Sequence, residues 1–339
     1  MIIESGYPLK AHNSFGFDVT ARFFAAAGSE FDVIEALEWA EQNGQPIYPL
    51  GGGSNTVMVD APAGLVLHIN IAGVEHYPEE DGSVLLRVGG GEDWPRLVDH
   101  TVKQGWFGLE NLALIPGNAG AAPVQNIGAY GVELSDVLEK IEAVDRETGE
   151  IVELSAEQCE FAYRDSAFKG VLHGRYIITY LWLRLSLSDS PVIEYPALRQ
   201  ALNDPDNSSA REVFEAVVSV RSKRLPNPQE LGNAGSFFTN PILSKKTAEI
   251  LTEQFPDLPQ WPTDDGQVKL AAGWLVEQCG WKGFREDAVG VYPHQAIVLV
   301  NYGGATGAQI LALAKEIIAS VEKKYGVLLE IEPNVISNS

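Results

Sequence analysis

Residues 110–134, ENLALIPGNAGAAPVQNIGAYGVEL, constrain the fold more than any other stretch of this chain. Four glycines (Gly117, Gly120, Gly128, Gly131) and two prolines (Pro116, Pro123) are spread through it, with charge only at Glu110 and Glu133. Such a run fits neither an amphipathic helix nor an alternating strand. It fits a backbone lying flat against something large, because glycine leaves no side chain in the way and permits unusual φ angles. A second glycine-rich turn, LGGGSN, covers residues 50–55. The pair predicts two loops closing on one elongated, phosphate-bearing cofactor. A purely structural loop is the plainer alternative, but long irregular segments in compact domains are usually functional.

The 339 residues are too many for one ordinary domain, so two or three are expected. Hydrophobic residues make up 45%, enough for real cores. The net charge of −22 disfavours nucleic acid and anionic lipid as partners, and an anionic substrate would need a local basic pocket. Cys159 and Cys279 form no CxxC pair and no disulfide framework, as expected in a reducing cytosol. The first ten residues, MIIESGYPLK, lack the apolar core of a signal peptide, and no apolar run has the length of a membrane helix. A cytoplasmic protein without a resident metal is expected.

Periodicity predicts a helix over 29–43, capped by Ser29 and with Phe31, Ile34 and Leu37 on its inner stripe. Strands are predicted at 46–50, 65–70 and 84–88, and a helix at 94–104 with Pro95 in its first turn. Residues 137–144 and 150–154 read as a hairpin around DRETG, and 176–187 as a long strand. The stretch 191–209 reads as a polar, mobile loop. A helix follows at 213–224, and beyond it helix and strand patterns recur at 245–255, 269–279, 295–301, 306–325 and 327–332. A boundary is predicted at 223–229, where RLPNPQ breaks the helix.

Two common phosphate motifs are missing. GGGSN lacks the lysine of a P-loop, and no GxGxxG opens a helix; SNTVMVD reads as turn then strand. The backbone amides of such a turn can still hold a pyrophosphate as a nest. Arg164 in YRDSAFK is either one half of an ion pair with Asp165 or a fork for a substrate carboxylate. Ser236 in NAGSFFTNP is either a turn residue or a hydroxyl presented on a flexible turn. Arg221 and Arg224 in RSKR either complement a helix C-terminus or clamp a diphosphate. Glu332 would ordinarily be a solvated strand residue.

Taken together in order, IPGNAGAAPVQNIGAYGVEL, YRDSAFK, NAGSFFTNP, KLAAGWLVEQCGWKG and the terminal EPNV resemble the UDP-N-acetylenolpyruvoylglucosamine reductases. The resemblance runs from Asn13 to Val335, and PVIEYPAL at 191–198 is similar to the substrate-loop segment of the family's longer type. It implies an α+β chain: a two-subdomain FAD-binding fold of the vanillyl-alcohol-oxidase/PCMH type plus a C-terminal α+β substrate domain. The implied division is 1–70 (completed by 326–339) and 71–220 for the flavin, and 221–325 for the substrate. The implied enzyme is a monomer that uses noncovalent FAD and NADPH to reduce an enolpyruvyl sugar nucleotide to UDP-N-acetylmuramate, a peptidoglycan precursor.

The resemblance assigns catalysis to Arg164, Ser236 and Glu332. Charge that builds beside the substrate carboxylate would be stabilised by Arg164, and Ser236 would protonate the α-carbon. Glu332 would have to carry or share a proton, which a desolvated site favours. Cofactor contacts are expected from Gly51, Gly52, Gly53, Ser54 and Asn55, and from Pro116, Gly117, Gly120, Gln125, Asn126, Ile127, Gly128 and Tyr130. At Gly128 the missing side chain is expected to make room for the flavin. Sugar-nucleotide contacts are expected from Tyr195, Arg221, Arg224, Asn240 and Gln295. Three departures stand out: Arg224 where a lysine is common, Thr239 where a basic residue is common, and EPNV in place of EPEV. An alcohol oxidase on the same fold and a non-catalytic UDP-sugar sensor are the competing readings. None of the six histidines lies in a glycine-rich loop to tether a flavin, and the three catalytic residue types are all present.

Overall fold

The computed structural model describes residues 1–263 and 265–337. The chain forms two compact units. The first comprises Met1–Tyr7, Ala21–Gly53 and Pro62–Lys223; the second comprises Pro8–Thr20, Ser54–Ala61 and the chain from Arg224 onward.

The first unit holds two sheets. The smaller orders Glu4–Pro8, Thr20–Ala27, Leu65–Ile69 and Ile47–Leu50, and the last two strands both run parallel to their neighbours. The helix Glu30–Gln42 packs on it. Ser29 caps this helix, accepting from Asp32 N–H at 3.2 Å. Its fully buried face is Val33, Ala36 and Ala40; of the predicted stripe, Ile34 and Leu37 pack half-buried against the same core, whereas Phe31 is 79% exposed. Small residues win that face because the helix lies close on the sheet, whose core includes Ala25, Ala27, Leu65 and Leu67.

The larger sheet is antiparallel: Ile151–Ser155, Leu138–Asp145, Tyr176–Ser186, Ser83–Gly89 and Val74–Pro78. Its central strand sets Leu181 opposite both Ile141 and Val88, and all three are fully buried. The predicted hairpin closes where Val144 faces Ile151 and Asp145 N–H donates to Glu150 O at 2.9 Å. The helix Trp94–Gln104 starts at the Asp93 cap and stops at Gly105 (φ 76°), burying Trp94, Leu97, Val98, Thr101 and Val102. The polar stretch 191–209 is not all loop. It carries the short helix Pro196–Ala201, which Pro196 can begin because its missing N–H is not needed there.

In the second unit, Gly232–Asn233, Leu299–Asn301, Val289–Val291 and Arg285–Glu286 form one sheet, and Ile242–Leu243, Val268–Leu270 and Gln260–Pro262 another. The pattern read at 269–279 divides between two elements: Val268–Leu270 is strand and Ala272–Gln278 is helical. Of the pattern at 295–301, Leu299–Asn301 is strand. Residues 327–332 bury Val327 and Leu329 alternately but have only an isolated bridge, Phe238 to Ile331. Alternation reported their burial, not a ladder. The true terminal strand, Asn334–Ile336, runs parallel to Thr56–Met58. The helix Gly307–Tyr325 has a capping box of Thr306 and Gln309. Its Gly307 is required: a Cβ there would lie 2.1 Å from Met58 O.

Candidate functional site

Residues 110–134 fold as a succession of tight turns. 3₁₀ turns at Glu110–Leu112 and Ala119–Gln125 precede a small hairpin in which Gly128–Ala129 pairs with Val132–Glu133. Its two turn residues, Tyr130 (φ 52°) and Gly131 (φ 87°), both have the positive φ that a primed two-residue turn demands.

The two glycine-rich loops do meet. A Cβ on Gly52 would lie 2.5 Å from Asn118 Oδ1 and 3.3 Å from Gly117 Cα, and one on Gly51 would lie 3.6 Å from Ala121 Cβ. Asn118 cannot readily yield, because its Nδ2 donates to Gly91 O. The backbone N–H groups of Gly51, Gly52 and Gly53 donate to none of the described residues. Consecutive amides of this kind fit the diphosphate of a dinucleotide.

Asn126, expected as a cofactor contact, uses its side chain otherwise. It is fully buried with φ 43°. Its Nδ2 donates to Glu133 Oε2 (2.7 Å), Ser135 Oγ (3.3 Å) and Ala162 O (3.2 Å), and its Oδ1 accepts from Ser135 N–H at 3.0 Å. The amide is spent on joining three segments, so its contribution is to hold the loop.

Arg164 occupies the tip of a tight turn whose base is Ala162 and Asp165, bonded in both directions at 3.1 Å. Its φ is 54°, a conformation costing a non-glycine residue of order 1–3 kcal/mol. The Asp165 carboxylate accepts the Ser166 N–H at 2.9 Å. The Arg164 guanidinium donates from Nη2 to Gly128 O and reaches Asn126 O from Nη1 at 3.5 Å. Ser166 Oγ donates to Val124 O at 2.7 Å, which anchors the turn to the loop. Gly128 is the necessary partner: a Cβ there would lie 2.9 Å from Arg164 Nη1 and 2.9 Å from Glu133 Cγ. The missing side chain makes room for the arginine, where the sequence suggested the flavin.

Arg221, on the helix Ala210–Arg224, faces the same group. Burial holds its guanidinium below the ordinary arginine range; nearby Tyr130 opposes that shift and the charge of Arg164 adds to it. Its Nε is enclosed without a hydrogen-bond partner among the described residues. Two guanidiniums so placed are arranged to receive an anion. Tyr195 stands edge-on to Tyr130 with ring centroids 5.3 Å apart, so the expected substrate tyrosine and the hairpin turn touch.

In the second unit, Ser236 follows Gly235 (φ 70°), whose N–H donates to Asn233 Oδ1 at 2.9 Å. The next residue is held on both sides: Phe237 N–H donates to Ile297 O at 2.7 Å, and Phe237 O accepts from Glu332 N–H at 3.0 Å. Ser236 and Glu332 therefore lie on neighbouring backbones. Asn240 Oδ1 accepts the Ala272 N–H at 3.0 Å, supplying the helix cap that Ala271 lacks. Gln295 Oε1 lies 3.3 Å from where a Cβ of Gly273 would be, so Asn240 and Gln295 share that helix start. Arg224 is exposed at the end of its helix.

Sequence reasoning missed Asn111, Asn118 and Glu133 as organisers of the site. All three lie inside the stretches that drew attention. Their side-chain partners are what spacing cannot reveal.

A model described as "FAD binding domain" matches residues 21–155, and one described as "UDP-N-acetylenolpyruvoylglucosamine reductase, C-terminal domain" matches 227–336. The reductase of that name from Cupriavidus pinatubonensis is 47% identical over 97% of this chain and 98% of its own. The one from Pseudomonas aeruginosa is 46% identical over 96% of this chain and 97% of its own. Among solved structures, UDP-N-acetylenolpyruvylglucosamine reductase from Thermus caldophilus matches with a TM-score of 0.68 at 23% identity, covering 99% of this chain and all of its own, which establishes the fold. By sequence identity to these relatives over nearly its whole length, this chain belongs to the UDP-N-acetylenolpyruvoylglucosamine reductase family.

Proposed function

We propose that this enzyme reduces UDP-N-acetylglucosamine enolpyruvate to UDP-N-acetylmuramate in peptidoglycan precursor synthesis, with noncovalent FAD and NADPH as reductant. The observation that carries it, in a chain of this family, is the seating of Arg164 on Gly128 O inside the glycine-rich loop, with Arg221 beside it. Bound FAD supplies the hydride relay between NADPH and the terminal carbon of the enol ether. The Gly51–Gly53 amides and the 116–130 loop hold it.

Arg164 is permanently cationic and balances the negative charge that builds on the α-carbon and its carboxylate. Ser236 Oγ then gives the α-carbon its proton. Hydride and proton together saturate the double bond, and the ether bond to the sugar is kept. Glu332 assists with a carboxyl that carries or shares a proton. Tyr195, Arg221, Arg224, Asn240 and Gln295 bind the sugar nucleotide. Residues 1–70, completed by 326–339, and 71–220 serve the flavin, and 221–325 the substrate. The enzyme acts as a cytoplasmic monomer without nucleic-acid or membrane partners, in keeping with its net charge of −22. No described helix is long and apolar enough to cross a membrane.

Anaerobic stopped-flow tests the reaction. The purified protein should be yellow, NADPH should bleach it, and the enolpyruvyl sugar nucleotide should restore the colour. A colourless protein, or reduced flavin indifferent to that substrate, refutes the assignment.

A further inference from the structure

One buried side chain joins the expected cofactor loop to the expected substrate loop and is used by neither assignment. Asn111 is 1% exposed. Its Nδ2 donates two hydrogen bonds of 2.9 Å, one to Tyr130 O at the hairpin turn and one to Val192 O, three residues before Tyr195. Its Oδ1 is enclosed and has no partner among the described residues. A buried acceptor left unmet is destabilising, so an amide kept here acts through its two donors. The start of the Tyr195 segment is tied separately, where Ala210 N–H donates to Asp189 Oδ1 at 2.6 Å at the head of the helix that bears Arg221. A Cβ on Gly131 would lie 3.6 Å from Val192 Cγ1, so the two segments are also in close contact.

We propose that Asn111 is a positioning residue for the sugar-nucleotide half-reaction: its amide clasps the Tyr130 and Val192 carbonyls together and thereby fixes the Tyr195 ring against Tyr130, beside Arg221. This rests on the reductase function proposed above. The side chain is assigned no substrate contact; it acts by fixing the spacing between the Tyr130 turn and the Tyr195 segment.

The test uses the holoenzyme carrying Asn111→Leu, which keeps the branched shape, removes the unmet oxygen and deletes both donors. The KM for the enolpyruvyl sugar nucleotide should rise roughly ten- to hundredfold, the worth of two ordinary hydrogen bonds. The rate of flavin reduction by NADPH, the flavin content and kcat should stay unchanged. In a Tyr195→Ala background the same substitution should add little, since both act through one ring. An unchanged KM, fully additive effects, or loss of bound flavin would each overturn the clasp. If the wild-type enzyme itself ignores the sugar nucleotide, the reductase function fails instead. The clasp is then judged by hydrogen exchange alone: amides of residues 190–195 should exchange faster in Asn111→Leu, and equal protection overturns it. Should that variant not fold, Asn111→Ser is read by the same measures.

Discussion

Gly128→Ala separates two roles for the glycine-rich loop. Gly128 has no positive φ, so alanine meets no backbone penalty there. Its methyl, however, would lie 2.9 Å from Arg164 Nη1, 2.9 Å from Glu133 Cγ and 3.1 Å from Val132 O. Ordinary contact needs about 3.5 Å, so the guanidinium must retreat by about 0.6 Å. Two of the three contacts are with side chains that can yield, so the stability cost should fall near the low end of overpacking, about 1 kcal/mol. Catalysis is less forgiving. A displacement approaching 1 Å costs up to ~10²-fold, so reoxidation by the sugar nucleotide should slow by roughly 10- to 100-fold. Stopped-flow resolves the half-reactions: NADPH should still reduce a full complement of flavin, and only reoxidation should lag. Wild-type reoxidation would refute the seating of Arg164 on this loop. Apo protein would show that Gly128 makes room for the cofactor after all.

Gly52→Ala should damage flavin binding instead, because its methyl would press on an Asn118 amide already fixed by Gly91; the ratio of flavin to protein absorbance should drop, and full occupancy would contradict the loop-to-loop approach. Ser236→Ala should leave flavin reduction intact and slow reoxidation by the roughly 10²–10⁴-fold typical of general acid catalysis, with Ser236→Cys retaining more activity; wild-type reoxidation by the alanine variant would reduce Ser236 to a turn residue. Glu110 is 3% exposed, and burial raises its carboxyl above the usual range even though it accepts the Gly108 N–H at 2.7 Å. A raised folded-state pKa favours the native state at low pH, and that advantage is lost as pH rises through it. Glu110→Gln should therefore gain Tm over wild type as pH climbs from about 4 to about 8, and parallel Tm curves would show that Glu110 does not titrate in that window.

The helices Glu30–Gln42 and Trp94–Gln104 were legible because their ends carry chemistry of their own. Asp93, Pro95 and Gly105 bracket one helix to the residue, and Ser29 caps another. The failures came where burial is decided by something distant. Phe31 continued an apolar stripe on paper, yet the sheet beneath accepts Val33, Ala36 and Ala40. Val327 and Leu329 alternate like a strand, but the ladder forms downstream at Asn334–Ile336, where Thr56–Met58 offers a parallel partner. The candidate site was legible as types in order: a cation at Arg164, a hydroxyl at Ser236, a carboxyl at Glu332. What holds them was not. No spacing rule says that Asn126 is spent on Ala162, that Asn240 caps the Ala272–Gln278 helix, or that Asn111 reaches Val192. Local signals mark where the chain turns, and only the fold says which carbonyl waits on the other side.

Backbone strain gives a further reason to look to the Arg164 group for function. Among described residues other than glycine, positive φ occurs at Leu114, Asn126, Tyr130, Glu160, Arg164 and Asp287. Asn126, Tyr130 and Arg164 gather around one hairpin, tied by the Arg164 bonds to the Asn126 and Gly128 carbonyls. Asparagine tolerates the left-handed region, so Asn126 needs no special explanation. Tyrosine and arginine do not, and glycine would relieve either turn. Their retention at a cost of order 1–3 kcal/mol each points to side chains the site requires. The Asn126 amide, with its bonds to Glu133, Ser135 and Ala162, supplies the local stabilisation that offsets it. A turn with arginine at its strained tip has few alternative conformations. The guanidinium is held by the Asn126 and Gly128 carbonyls, and in the proposed mechanism a group so fixed would serve electrostatic stabilisation of a developing charge.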